Sequence, residues 1–90
     1  MFEIHAVISG RVQLVMFRDF VQRRARSMKI KGTVQNLKNG NVEVVAQGEE
    51  ENLKKFLTLL HTGSLLSRVD KVSVIWRNSS EKFDSFTILF

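Results

Sequence analysis

Ninety residues suit one small domain, and residues 1–90 are read as a single unit. Fourteen Lys and Arg against nine Asp and Glu leave a formal net charge of +5, and 43% hydrophobic with 26% charged residues is the balance of a globular chain. With no Cys, a disulfide framework, a thiolate metal site and a Cys nucleophile all drop out. No apolar run approaches the roughly 20 residues that a membrane-spanning helix needs. Met1-Phe2-Glu3-Ile4-His5 carries an acid where a signal peptide would carry its apolar stretch, so the expected compartment is the cytoplasm. The positive surplus favours anionic partners: phosphate-bearing small molecules, nucleic acid or acidic membranes.

Phe2, Ile4, Ala6 and Ile8 alternate with Glu3, His5, Val7 and Ser9, a period of two that predicts a first strand with one buried face. Gly10 to Met16 breaks that pattern. From Phe17 the spacing becomes helical, with Phe17, Phe20, Val21, Ala25 and Met28 on one side. Ile30 to Leu37 reads as a second strand with Gly32 inside it. Asn39-Gly40 signals a hairpin, because both residues tolerate positive φ. Val42, Val44 and Ala46 then alternate with Glu43, Val45 and Gln47 in a third strand. Glu49, Glu50 and Glu51 suit the positive end of a helix dipole. Leu53, Phe56, Leu57 and Leu60 form the stripe of that second helix, which Gly63-Ser64 ends. Val72, Val74 and Trp76 alternate in a fourth strand, Asn78 to Glu81 forms a turn, and Phe86, Ile88 and Phe90 alternate in a last strand. Trp76, Phe86 and Phe90 are expected in the core.

The order β-α-β-β-α-β with a short extra C-terminal strand predicts an α+β, ferredoxin-like sandwich. It would have an antiparallel sheet with two helices on one face, the other face lying largely open to solvent. A fold with so many uses leaves function to be argued from a site.

The densest chemical signal joins the first strand to the first helix: Ser9-Gly10-Arg11-Val12-Gln13-Leu14-Val15-Met16-Phe17-Arg18. A loop feeding a helix N-terminus presents unpaired backbone N–H groups at the positive end of a dipole, which suits an anion. Arg18 adds a planar fork of donors that fits phosphate bidentately. The same residues also suit a tight β-to-α connection with an arginine on a solvated helix face, and the residues alone leave both readings open. Asn36 precedes the Asn39-Gly40 turn, on a strand expected to lie beside the first. By itself it reads as an ordinary turn-flanking Asn.

Gly10-Arg11-Val12-Gln13, then Val15, then Phe17-Arg18, resembles the first signature of the acylphosphatase family, a G-x-V-Q-G-V-x-F-R run. Gly32-Thr33-Val34-Gln35-Asn36, followed by Gly40, Val42 and Gly48, resembles the second, a G-aromatic-V-x-N run with downstream glycines. The resemblance spans essentially the whole chain. It implies hydrolysis of the carboxyl–phosphate bond of acyl phosphates to carboxylate and inorganic phosphate. It implies no metal, no cofactor and no covalent intermediate. Arg18 matches the family's phosphate-binding arginine, and Gly10, Arg11, Val12, Gln13, Leu14, Val15 and Met16 match its phosphate cradle. Asn36 matches the asparagine that positions the attacking water.

Four positions depart from that pattern. Leu14 stands where the first signature has its second glycine, which puts activity in question more than fold. An obstructing Leu14 would make Leu14→Gly raise kcat/KM. Thr33 replaces an aromatic, removing ring area expected near the site. Lys29 replaces a common glycine at the end of the first helix, a less favourable C-cap. Ser64 replaces a common proline, with little consequence.

Arg18, Arg23, Arg24, Arg26, Lys29 and Lys31 crowd one stretch, but a helical wheel spreads Arg18, Arg23 and Arg26 over a wide arc, as on a solvated face. Arg24 falls near the apolar stripe and is expected to snorkel out of it. An RNA-recognition sheet of this topology needs aromatics on the open face of strands one and three. Glu3, His5, Val7, Glu43, Val45 and Gln47 offer none, which disfavours nucleic acid. His5 and His61 share no metal-ligand spacing and read as structural or surface residues. The sequence therefore predicts a monomeric acylphosphatase acting on a small-molecule acyl phosphate. The alternatives are a non-catalytic phosphate or acyl-phosphate binder, or a nucleic-acid binding module, on the same fold.

Overall fold

In the computed structural model, which describes every residue except Leu14 and Ser80, the N-terminal alternation becomes strand β1 (Phe2–Arg11). Ile4, Ala6 and Ile8 are wholly buried on one side of it, while Glu3, His5 and Val7 alternate onto the other. Helix α1 (Phe17–Ser27) turns Phe17, Val21 and Ala25 inward, with Phe20 and Met28 at the margin of the same core. Strands β2 (Lys31–Asn36) and β3 (Val42–Gly48) form an antiparallel hairpin. Helix α2 (Glu50–Thr62) buries Leu53, Phe56 and Leu60. Strands β4 (Arg68–Asn78) and β5 (Phe86–Leu89) follow. Asn78, expected to open a turn, is the last residue of β4, and Ser80 within that expected turn lies outside the described residues.

The strands form one sheet in the order β4-β1-β3-β2-β5. The first four pair antiparallel. The sheet is mixed, because β5 runs parallel to β2, with Val34 opposite Ile88. Helix α1 packs over β2 and β5, and α2 over β4, β3 and β1. The neighbour of β1 is therefore β3, and the expectation that Asn36 lies on a strand beside the first is corrected. A helix about 10 Å wide covers two strand spacings of about 4.8 Å, so each βαβ crossover steps over one strand position. The other crossover fills that gap.

Backbone approach dictates two glycines. A β-carbon on Gly10 (φ 125°) would lie 2.1 Å from Arg68 O, and one on Gly32 (φ 151°) 1.8 Å from Val45 O. Gly10 also marks a register shift between β1 and β4. At the end of α1, Lys29 adopts φ 57°. Ile30 N–H donates to Ala25 O at 2.9 Å and Lys29 N–H to Arg26 O at 3.2 Å, a Schellman closure with lysine in the left-handed position that glycine favours.

Of the three aromatics expected inside, only Phe86 is, meeting Phe56 edge-to-face at 6.1 Å. Trp76 is 41% exposed and Phe90 fully exposed. Trp76 lies on an edge strand against the ring of Phe2, and Phe90 lies one residue beyond β5, so each stays within reach of solvent.

The helix-free face is not open throughout. Ser79, Glu81 and Phe83, from the stretch between the two edge strands, lie over one end of that face. Gln47 and Glu3 are buried there. Gln47 Nε2 donates to Glu3 Oε1 at 2.8 Å, to Ser79 Oγ at 2.7 Å and to the Glu81 carbonyl, and Arg77 pairs with Glu3. Farther along, His5 Nε2 stands 2.8 Å from Glu43 Oε2, and Gln35 Nε2 donates to Glu43 Oε1 at 2.7 Å. Those two hydrogen bonds, His5 first, hold the Glu43 carboxyl below its ordinary pKa.

Candidate active site

Two buried valines shape the connection from β1 to α1. Val12 and Val15 are 1% and 8% exposed, so their side chains anchor the loop in the core and leave its backbone at the surface. Gly10 and Arg11 are not loop residues. They extend β1 and pair with Val69 and Arg68 of β4. Leu14 lies outside the described residues. Met16 is 74% exposed and adopts φ 59°, ψ 25° at the N-cap of α1, with no side chain capping the helix. A non-glycine residue in this region carries strain of roughly 1–3 kcal/mol.

Among the described residues, the N–H groups of Gln13, Val15 and Met16, and of the first-turn residues Phe17, Arg18 and Asp19, make no backbone hydrogen bond. The first intrahelical bond is Phe20 N–H to Met16 O at 3.0 Å. Unpaired donors gathered at a helix N-terminus give a locally positive surface. Half-buried Arg18 adds its guanidinium. It lines a cavity of about 300 Å³ with Val12, Met16, Phe17, Asp19, Ile88 and Phe90. The ring of Phe90 lies 5.1 Å from the guanidinium carbon, a cation–π contact.

Asn36 is the last residue of β2 and stands opposite Val42. Strand alternation puts it on the same face as fully buried Val34, the face that carries the helices. Its Oδ1 is buried and, among the described residues, has no hydrogen-bond partner. A buried acceptor left without a donor costs roughly 1–3 kcal/mol. Asn36 does not line the Arg18 cavity. What ties its hairpin to the loop is Gln13, whose Nε2 donates to Leu37 O and to Asn41 O, both at 2.8 Å.

The tether by Gln13 and the contact by Phe90 were not foreseen from sequence. The alternation Phe86, Ile88, Phe90 does point Phe90 toward the helices, but only the end of the helix layer decides that it meets Arg18 rather than the core. Thr33 also needs correction. It faces away from the helices and lines a separate cavity with Glu3, Val45, Arg77, Phe83 and Leu89. Whatever ring area it removes lies on the opposite side of the sheet from Val34 and Asn36.

Other candidates are engaged within the fold. Arg23 Nε donates to Asp19 Oδ2 at 2.8 Å, Arg26 Nε donates to Phe86 O at 3.2 Å, and the Arg24 guanidinium lies 5.8 Å from the centre of the Phe20 ring. His61 Nδ1 meets Leu57 O at 2.9 Å. Among the described residues, no group of three or more His, Asp or Glu could hold a metal ion, and no helix is long and apolar enough to cross a membrane.

Comparison with known proteins places the chain in a family. The family model for acylphosphatase matches residues 4–88. An acylphosphatase of Methanococcoides burtonii is 44% identical over 81 residues, covering 90% of this chain and 84% of its own. The crystal structure of acylphosphatase from Bacillus subtilis superposes with a TM-score of 0.97 at 38% identity, covering both chains completely. An acylphosphatase structure from Coxiella burnetii gives 0.91 at 32% identity, over 97% of this chain and 90% of that one. With both signature runs in their expected elements and the fold matched from end to end, the chain belongs to the acylphosphatase family of hydrolases.

Proposed function

We propose that the chain, acting as one unit over residues 1–90, hydrolyses acyl phosphates with Arg18 and the backbone amides of the Gly10–Met16 segment holding the phosphoryl group and Asn36 positioning the water. The observation that carries this reading is the Oδ1 of Asn36 on the helix side of the sheet, buried and without a partner among the described residues. A water held there can donate one hydrogen to that oxygen while its lone pair faces phosphorus. The gathered amides and the Arg18 fork supply positive charge where the phosphoryl oxygens would lie.

The reaction needs little more. Water attacks phosphorus as the bond from phosphorus to the bridging oxygen breaks, and the bridging oxygen leaves with its electron pair as part of a carboxylate. One proton of the water passes to a phosphate oxygen, because a carboxamide is not a base. The products are the carboxylate and dihydrogen phosphate. A carboxylate leaves readily, so no strong general acid is required, and phosphoryl transfer is chiefly positioning and charge stabilisation. In this reading the positive charge comes from Arg18 and the amides, and neither a metal nor a covalent intermediate takes part. Every proposed site group belongs to one chain, which suits a monomer, and the proposed compartment is the cytoplasm.

Hydrolysis of benzoyl phosphate, measured with excess chelator present, tests this reading. Wild type is expected to turn over, and Arg18→Ala and Asn36→Ala, verified as folded, to lose most of the activity. Equal turnover in all three would refute the assignment. Phosphate-dependent thermal stabilisation without turnover would instead indicate a binding module.

A further inference from the structure

The turn between α2 and β4 carries two leucines that the core does not use. Ser67 N–H donates to Ser64 O at 3.1 Å, and Ser67 Oγ donates to the same oxygen at 2.9 Å. Leu65 and Leu66 are therefore the two central residues of a β-turn, positions that Pro, Asp, Asn, Ser and Gly ordinarily fill. Leu65 is 97% exposed and Leu66 is 68% exposed. Exposed Met16 joins them around one concavity of about 270 Å³, whose lining also includes Val15, Phe20 and Arg23. A single exposed leucine needs no explanation, but large apolar side chains grouped around a concavity mark a binding surface.

The position of this concavity names its occupant. Val15 and Met16 belong to the proposed phosphate cradle, and Ser64 Oγ approaches Val15 O at 3.5 Å, so the leucine turn abuts the loop. Met16 also lines the Arg18 cavity and thus stands between the two concavities. In an acyl phosphate the carbonyl carbon is two bonds from phosphorus, so the acyl group must leave the cradle across its rim. The charge of Arg23 at the edge is matched by Asp19 at 2.8 Å, which leaves the concavity no surplus charge to attract a second carboxylate.

We propose that Leu65 and Leu66, with Met16 and Phe20, form the acyl-group subsite, and that the preferred substrates carry an apolar acyl group of several carbons or an aromatic ring. This inference rests on the phosphoryl-binding reading above. Burial of each added methylene is expected to raise kcat/KM about fourfold.

The test is kcat/KM for acetyl, butyryl and hexanoyl phosphate, whose leaving carboxylates are of nearly equal basicity. It compares wild type with the double variant Leu65→Ser/Leu66→Ser. Both substituted side chains are exposed, and a thermal melt checks the fold. Wild type is expected to favour hexanoyl over acetyl phosphate by about 200-fold, and the double variant by a few-fold only. A flat wild-type series with acetyl phosphate still hydrolysed overturns the acyl subsite and leaves the hydrolase reading standing. An undiminished hexanoyl preference in the double variant does the same. No turnover of any of the three removes both readings. A flat series in a wild type that elutes as a dimer, with the double variant a monomer, assigns the leucines to contact between copies and overturns the subsite.

Discussion

The two ends of α1 use the same unusual backbone for opposite purposes. Met16 at the start (φ 59°) and Lys29 past the end (φ 57°) are both non-glycine residues in the left-handed region. At the C-terminal end, Lys29 and Ile30 donate back to Arg26 and Ala25 and close the helix on itself. Among the described residues, nothing closes the N-terminal end, and no donor reaches the buried oxygen of Asn36 on the same face of the sheet. Strain followed by saturation makes an inert terminus, whereas strain followed by unpaired groups leaves a terminus able to bind. Polar groups elsewhere follow the first pattern, as Gln47 does with its four partners.

The contrast breaks most sharply at Arg18. Arg18→Ala is expected to lower kcat/KM by about 10²–10³ while leaving the melting temperature near wild type, since the side chain is only half-buried. Steady-state kinetics beside a thermal melt checks both halves.

Asn36→Ala is expected to lower kcat by about 10² yet leave stability unchanged or higher by up to about 1 kcal/mol, because the deleted oxygen is buried without a partner among the described residues. A clear loss of stability would mean that Asn36 serves the fold.

Removing the tether should couple the two properties. Gln13→Ala deletes two hydrogen bonds to the hairpin carbonyls and is expected to cost about 1–2 kcal/mol in urea unfolding. It is also expected to lower kcat, by loosening the loop relative to Asn36.

The inert end should behave differently. Lys29→Gly relieves a left-handed lysine and is expected to stabilise by about 1 kcal/mol, raising Tm by about 4–8 °C without changing kcat.

The smallest effect is expected at a saturated cluster on the far face. Glu43 has a folded pKa below its ordinary value of 4.5, owing to hydrogen bonds from His5 and then Gln35. Its stabilisation is therefore complete above pH 4.5 and lost as pH falls through the lowered folded value. Tm measured from pH 6 to pH 3 should fall less steeply in Glu43→Gln than in wild type.

Much of this was legible in the chain. The signature residues from Gly10 to Arg18 and Asn36 marked the two elements of the proposed site, and Gly32 inside a strand marked a close backbone crossing. Position in the third dimension was harder to read. Period-two alternation places Thr33 and Asn36 on opposite faces of β2, but it does not say which strand lies beside them. It also assigned Phe90 to the core, because alternation records direction and not where the covering layer stops. Glu3 and Gln47 looked like solvent-facing polar residues. Their burial depends on a segment more than 30 residues away from Gln47 passing over them.

Local rules, reaching one turn or one strand pair, were therefore enough to determine the elements, the hairpin and the helix stripes, while the signature run singled out the loop proposed to receive an anion. The hydrophobic period and the φ preferences of Gly and Asn act over a few residues. Tertiary structure alone decided that β3 separates β1 from β2, that Gln13 bridges to the hairpin, that Phe90 lies on Arg18 and that the Leu65–Leu66 turn abuts the cradle. Each of these depends on contacts between residues far apart in the chain. Such contacts are selected by how two helix crossovers fit over one sheet, and no local pattern encodes that fit.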